Sequence, residues 1–192
     1  MKKTLVLTAC LSILASIALA SPLKNYDPGH FSIDAGVTLP SSMKADDLKM
    51  SKSKSGYYGA TVGIGSDMAV QYKFNNYKAK QGKTGVHQAN LLYRVVPNLE
   101  AYAGYERFNS SGMLHKHQNA AQIGLQAHVD IPLLFNVWGN VGYSNKGHMA
   151  EIGISKPILN NIELGASYYT GKFDEDSDVK VRGVNAGVTF KF

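Results

Sequence analysis

The chain has 192 residues, 18% of them charged, with 20 basic against 14 acidic side chains and a formal charge of +6. That balance is too mild to argue for nucleic acid, and the single cysteine, Cys10, excludes a disulfide framework. Beyond the first twenty residues, no run reaches the roughly 18 apolar residues that a spanning helix requires.

Met1-Lys2-Lys3 is a short basic region, residues 4–19 are almost wholly apolar or small, and Ala18-Leu19-Ala20 before Ser21 fits the small-x-small cleavage rule. This predicts a cleaved signal peptide over 1–20. The mature chain then begins at Ser21 and carries 18 basic against 14 acidic residues, a charge of +4. A lipoprotein signal at Leu7-Thr8-Ala9-Cys10 is the alternative; it would cut after too short an apolar core and leave residues 11–20 attached. Residues 21–30, with two prolines and Gly29, read as an irregular lead-in. The rest, 31–192, reads as a single β-domain.

Within that domain the spacing predicts ten strands, at 31–39, 57–65, 68–78, 86–96, 99–109, 117–130, 135–144, 147–156, 161–172 and 179–192. Each alternates with period two, as a two-sided strand must. Phe31, Ile33, Ala35, Val37 and Leu39 oppose Ser32, Asp34, Gly36 and Thr38; Ala121, Ile123, Leu125, Ala127 and Val129 oppose Gln122, Gly124, Gln126, His128 and Asp130. Trp138, on a polar face, is the main irregularity. Tight turns at 66–67, 97–98, 131–134 and 157–160 alternate with mostly longer connections, of which 40–56 is the longest.

The final strand carries Phe192, Phe190, Val188, Ala186 and Val184 on one face and Lys191, Thr189, Gly187, Asn185 and Gly183 on the other. A last strand ending in Phe with this alternation resembles the closing strand of bacterial outer-membrane β-barrels. The chain as a whole is similar to the small barrels of the porin-like superfamily. The resemblance implies a closed antiparallel transmembrane β-barrel, most simply of ten strands, with short periplasmic turns and longer extracellular loops. It also implies an outer-membrane location with both termini periplasmic, Phe190 and Phe192 as the signal read by the barrel-assembly machinery, and contact with outer-membrane lipids and lipopolysaccharide.

A soluble lipocalin-like barrel shows the same alternation but turns its apolar face inward. Aromatic placement argues against it. On the apolar face, Phe31, Tyr93, Phe135, Phe190 and Phe192 fall at the periplasmic ends and Tyr58, Phe74, Tyr105, Tyr143 and Tyr168 towards the outer ends, as two interfacial girdles would.

The predicted lumen-lining charges are Asp34, Lys73, Arg94, Glu100, Glu106, His128, Asp130, Glu151 and Glu163, with Lys191. They read either as a network of paired charges that plugs the barrel or as the lining of a narrow water path. Ten glycines, at 36, 59, 63, 104, 124, 142, 153, 165, 183 and 187, also face inward. Curvature is the plain explanation, but ten strands with that much missing volume would leave a gap. The expected function is therefore porin-like, weakly selective passive permeability; the alternative is a structural or adhesin-like barrel with a plugged lumen.

Lys44, Lys49, Lys52 and Lys54 in the first loop, with further lysines on the other outer connections, give a basic rim suited to lipopolysaccharide phosphates. His115, His117, His87 and His148 are more simply surface residues than a metal set, and the acidic run 174–178 lacks the glycine turn and closing Glu of a calcium loop. Ser144, His148 and Glu151 are near in sequence only. No enzyme activity, cofactor, metal or nucleic-acid partner is expected.

Overall fold

Period-two patterning becomes strand from Phe31 onward: β1 (Phe31–Ala45), β2 (Leu48–Lys49), β3 (Ser55–Gly65), β4 (Met68–Ala79), β5 (Gly82–Val96), β6 (Leu99–Gly112), β7 (Lys116–Ile131), β8 (Phe135–Ser144), β9 (Gly147–Leu159), β10 (Ile162–Asp174) and β11 (Asp178–Lys191). The computed structural model describes residues 21–192 apart from 46–47, 80–81, 113–115, 132–134 and 175–177. The expected signal segment with Cys10, His115 and most of the acidic run lie outside the described residues. Every barrel strand pairs antiparallel with its neighbour, and β11 pairs back onto β1 from Ser32↔Lys191 to Ala45↔Val179. The sheet is thus a closed ten-stranded barrel, with the two-residue β2 as a side arm on β1.

The outward surface decides between the two barrel types. Ile123 is 63% exposed, Ile152 60% and Val129 57%, whereas Gln71, Gln88, Asn90, Gln122 and Gln126 are buried inside. Apolar outside and polar inside is the arrangement that lipid requires of a barrel. On β11 the apolar outward run goes from Val184 to Phe192; at about 3.4 Å per residue and a tilt of about 40° it spans about 20 Å, close to the height of a membrane band.

Nearer the outer ends the polarity inverts, and the strands run further than their alternation predicted. Met43, Tyr77, Val86, Phe108, Phe173, Val179 and Val181 point inward and are buried. Outward positions on the same strand ends carry Lys44, Lys78, Arg107, Lys180 and Arg182. Here the barrel has left hydrocarbon, so the apolar residues gain by facing each other across the lumen. Pairing therefore continues to Ala79↔Gly82, Gly82↔Gly112 and Asp174↔Asp178, which shortens most outer connections to two or three residues.

The first connection is no free loop either. Lys44↔Lys49 and Ala45↔Leu48 pair as a small hairpin, Met50 N–H donates to Met43 O at 3.0 Å, and Ser53 N–H to Lys78 O at 3.0 Å. Pro40, which has no N–H to give a ladder, sits at the bulge between Pro40 and Ser42.

At several of the inward glycines a neighbouring ring takes up the space a side chain would have filled. A Cβ on Gly36 would stand 2.6 Å from Tyr57 Cε1, one on Gly142 2.6 Å from Tyr102 Oη, one on Gly153 2.5 Å from Trp138 Cζ2, and one on Gly183 2.7 Å from Tyr169 Oη. Trp138, irregular by its sequence position, is such a ring and is 4% exposed.

Candidate functional site

The lumen is built in three layers, each set by what the inward positions carry at that height. At the end that carries both termini, residues 21–30 fold back into the barrel mouth, so the irregular lead-in is a plug. Leu23 and Tyr26 are 4% and 1% exposed and pack with Ala69, Leu92 and Tyr102. Gly65 N–H donates to Tyr26 O at 2.8 Å and Gly63 N–H to His30 O at 2.9 Å. The plug backbone fits because Gly63 has no side chain: a Cβ there would lie 2.6 Å from Tyr26 O.

Most of the predicted lumen charges at this end are anchors for the plug and do not form one continuous network. Arg94 stacks over the Tyr26 ring at 4.4 Å, donates to Lys24 O at 2.6 Å and pairs with Asp67 at 3.1 Å. Asp130 is half exposed at the rim and holds Lys24 at 2.7 Å. Glu163 accepts from Lys191 at 2.6 Å and Ser155 at 3.0 Å; Lys191 also donates to Ser21 Oγ at 3.1 Å, and Ser21 N–H donates to Thr189 Oγ1 at 2.9 Å. Glu100 is fully buried with His128 Nδ1 at 3.5 Å. Burial pushes the Tyr26 phenol well above its ordinary value, with the Glu100 charge adding and Arg94 opposing, so the plug presents a neutral hydroxyl.

Replacing Gly63 with valine is expected to push the plug backbone out. Proteolytic cleavage within 21–30 should then be markedly faster in the folded barrel, whereas an unchanged rate would mean that the plug does not depend on that contact.

The middle layer is a ladder of amides. Gln88 Nε2 donates to Glu106 Oε1 at 2.9 Å and Gln122 Oε1 at 3.0 Å, Gln122 Nε2 to Asn90 Oδ1 at 2.6 Å, and Gln71 Nε2 to Thr61 Oγ1 at 3.3 Å. Tyr102 reaches over β7 along the wall and donates to Asn140 Oδ1 on β8 at 2.9 Å. Asp34, Lys73 and Glu151, with Asn185, line a cavity of about 30 Å³, and Glu151 accepts from Asn185 at 2.8 Å and from Ser167. Such a space holds about two waters, not a solute.

The outer layer is the apolar cluster described above. Tyr77 and Tyr169 lie 5.6 Å apart, Tyr77 and Phe173 6.3 Å, and Phe108 and Phe173 5.3 Å edge to face. The sequence carried this signal in Val86, Phe108, Phe173, Val179 and Val181, which extend the inward period with apolar residues. Likewise, Leu23 and Tyr26 were apolar residues in a lead-in that otherwise needed none.

Outside, both aromatic girdles form. Phe31 stacks on Phe192 at 4.7 Å across the closing seam, and Tyr58 meets Phe74 at 5.0 Å. His87 belongs to the outer girdle, 4.5 Å from Phe74 and hydrogen-bonded to Tyr72 Oη at 2.8 Å, several strands from His148. Ser144 is buried inward while His148 faces out, so these two and Glu151 do not converge. Of the loop lysines, Lys44 and Lys49 are cross-strand partners and Lys52 donates to Ser41 O at 2.7 Å, while Lys54 is exposed.

No family model and no curated protein matches the chain. Among solved structures, it is similar to Neisserial surface protein A, with 18% identity and a TM-score of 0.49 over 85% of this chain and 99% of that one. It is also similar to Ail, the attachment invasion locus protein of Yersinia pestis, with 16% identity and a TM-score of 0.43 over 86% and 100%. The outer membrane protein OprG from Pseudomonas aeruginosa shares 11% identity with a TM-score of 0.42 over 89% and 99%.

Proposed function

We propose that this chain is an outer-membrane barrel whose lumen is closed at rest, and that it acts through its outward wall and basic outer rim. The observation that carries this reading is occupancy of the lumen at both ends: the Leu23 and Tyr26 plug below, the Tyr77, Phe108, Tyr169 and Phe173 rings above. Between them lies a hydrogen-bonded amide layer. The porin-like expectation rested on bare glycine positions, and the rings of Tyr57, Tyr102, Trp138 and Tyr169 beside Gly36, Gly142, Gly153 and Gly183 support the closed reading instead. In this reading both termini are periplasmic, the stacked Phe31 and Phe192 close the seam there, and Phe190 and Phe192 present the assembly signal to the barrel-assembly machinery.

The test is single-channel recording of the refolded chain from Ser21 to Phe192 in a planar bilayer, with folding checked by heat-modifiable mobility in cold detergent. A folded but silent barrel is the expected result. Discrete conductance steps from the unmodified chain would return the porin-like reading.

A further inference from the structure

The outward wall of β7 to β10 carries a groove of about 480 Å³, lined among others by Leu125, Ala127, Gly139, Val141, Ala150 and Ile152. It is a local depression with a sequence cause. Ala127 stands opposite Gly139, and Ala150 opposite Val141, so small side chains adjoin on neighbouring strands between the larger Leu125 and Ile152. The flanking side chains are apolar and open to the outside: Ile152 is 60% exposed, Val141 51% and Leu125 46%. Its volume lies in the range of about 300–1,000 Å³ typical of ligand sites.

The second observation is the register directly beyond this groove. Tyr168 and Thr170 form its edge, and Thr170 pairs with Arg182 on β11. One position further out, His148, Lys172, Lys180, Lys44 and Lys49 are successive cross-strand partners on β9, β10, β11, β1 and β2. Directly opposed side chains on neighbouring strands stand about 5 Å apart, and like charges in that relation repel. Lys172 and Lys180 already have local partners, and Asp174 pairs opposite Asp178 two residues further along β10 and β11. What the register fixes is a line of cationic positions on the outward face, at the strand ends where polarity inverts, continuous with an apolar groove.

We propose that this combined surface binds one phosphorylated lipid of the outer leaflet, with an acyl chain in the groove and a phosphate on Arg182, Lys172 and Lys180. Phosphate takes several charge-assisted hydrogen bonds at once, so adjacent cations at one spot favour it over an unphosphorylated headgroup. A soluble anion has no use for the groove, and a neutral lipid none for the cations. The inference shares the membrane placement proposed above but does not depend on a closed lumen, so conductance and lipid binding fail independently.

The experiment uses the full mature barrel in detergent micelles, titrated with purified lipopolysaccharide and with the same material enzymatically dephosphorylated, and read by native mass spectrometry of the retained complex. Two variants accompany it: K172Q/R182Q for the headgroup and A150L for the groove, each confirmed as folded by heat-modifiable mobility. The chain is expected to bind the phosphorylated lipid at least about tenfold more tightly than the dephosphorylated one, a preference that K172Q/R182Q removes. A150L is expected to weaken both lipids by about tenfold, the effect of losing a well-filled apolar contact. Equal binding of the two lipids, or unchanged binding by A150L, would overturn the proposal. In the second case the rim acts as a diffuse cationic surface with no acyl site. Competition by inorganic phosphate as effective as by the lipid would overturn it as well.

Discussion

Deleting residues 21–29 and replacing Phe108 and Phe173 with alanine in the same chain is expected to turn a silent barrel into one that passes ions in discrete steps. Either change alone should leave it silent. The reason is that the closures are independent: one is a polypeptide segment in the mouth at the terminal end, the other a ring cluster at the far end, with the amide layer between. Opening only the lower mouth exposes Arg94, Glu100 and Glu163 to water but leaves Tyr77, Phe108, Tyr169 and Phe173 in contact above. Opening only the top leaves Tyr26 under the Arg94 guanidinium. With both removed, the remaining inward side chains are largely Gln, Asn, Ser, Thr and charged groups, which water solvates. A folded triple change that still carried no current would place the closure in the amide layer and in Tyr102. Each Phe→Ala also removes a buried ring at a cost of about 3–5 kcal/mol, so folding must be verified before the recording is interpreted.

Gly124→Val is expected to be the most damaging single substitution in the middle layer, lowering stability by about 3 kcal/mol or more. A Cβ at residue 124 would collide with the Tyr102 ring and with the Val141 carbonyl. The ring cannot simply swing away, because Tyr102 Oη donates to Asn140 Oδ1 at 2.9 Å and contacts Val141 O at 3.2 Å. Moving it would strand a hydroxyl and an amide in a water-poor interior, where an unmade hydrogen bond costs more than the bond contributes when formed. The midpoint of urea unfolding in detergent, followed through the single tryptophan, Trp138, measures the effect. Adding Tyr102→Ala to Gly124→Val should recover part of the loss, since the two residues share one contact. Strict additivity of the two changes would show that the ring does not rest on the glycine.

What could be read from the chain was whatever repeats with period two and depends only on local direction. Alternation placed the ten barrel strands, grouped Ile33, Val37, Ile123 and Val129 on the apolar face, and put Asp34, Glu100, Glu106 and Glu163 on the other. It also separated the aromatics into two girdles, because side-chain direction and strand direction together fix the end at which a ring lies. Strand ends were less legible. The outward-apolar rule fails where the wall leaves lipid, and beyond Val184 on β11 the inward positions Val181 and Val179 are the apolar ones.

Sequence alone therefore determined a succession of two-sided strands, each with one apolar face, since side chains alternate one step at a time; the pairing of β11 with β1 closed the sheet, and the exposure of Ile123 and Ile152 put the apolar face outside. Only the tertiary structure shows which side chains stand in the lumen. That depends on which side chain on one strand reaches which bare glycine on another: Tyr57 to Gly36, Tyr102 to Gly142, Trp138 to Gly153. It also depends on residues 21–30 returning from outside the repeat to fill the mouth, with Ser21 bonded to Thr189 across 168 positions of sequence. Such contacts have no period, and they follow from barrel diameter and shear, which no single strand contains.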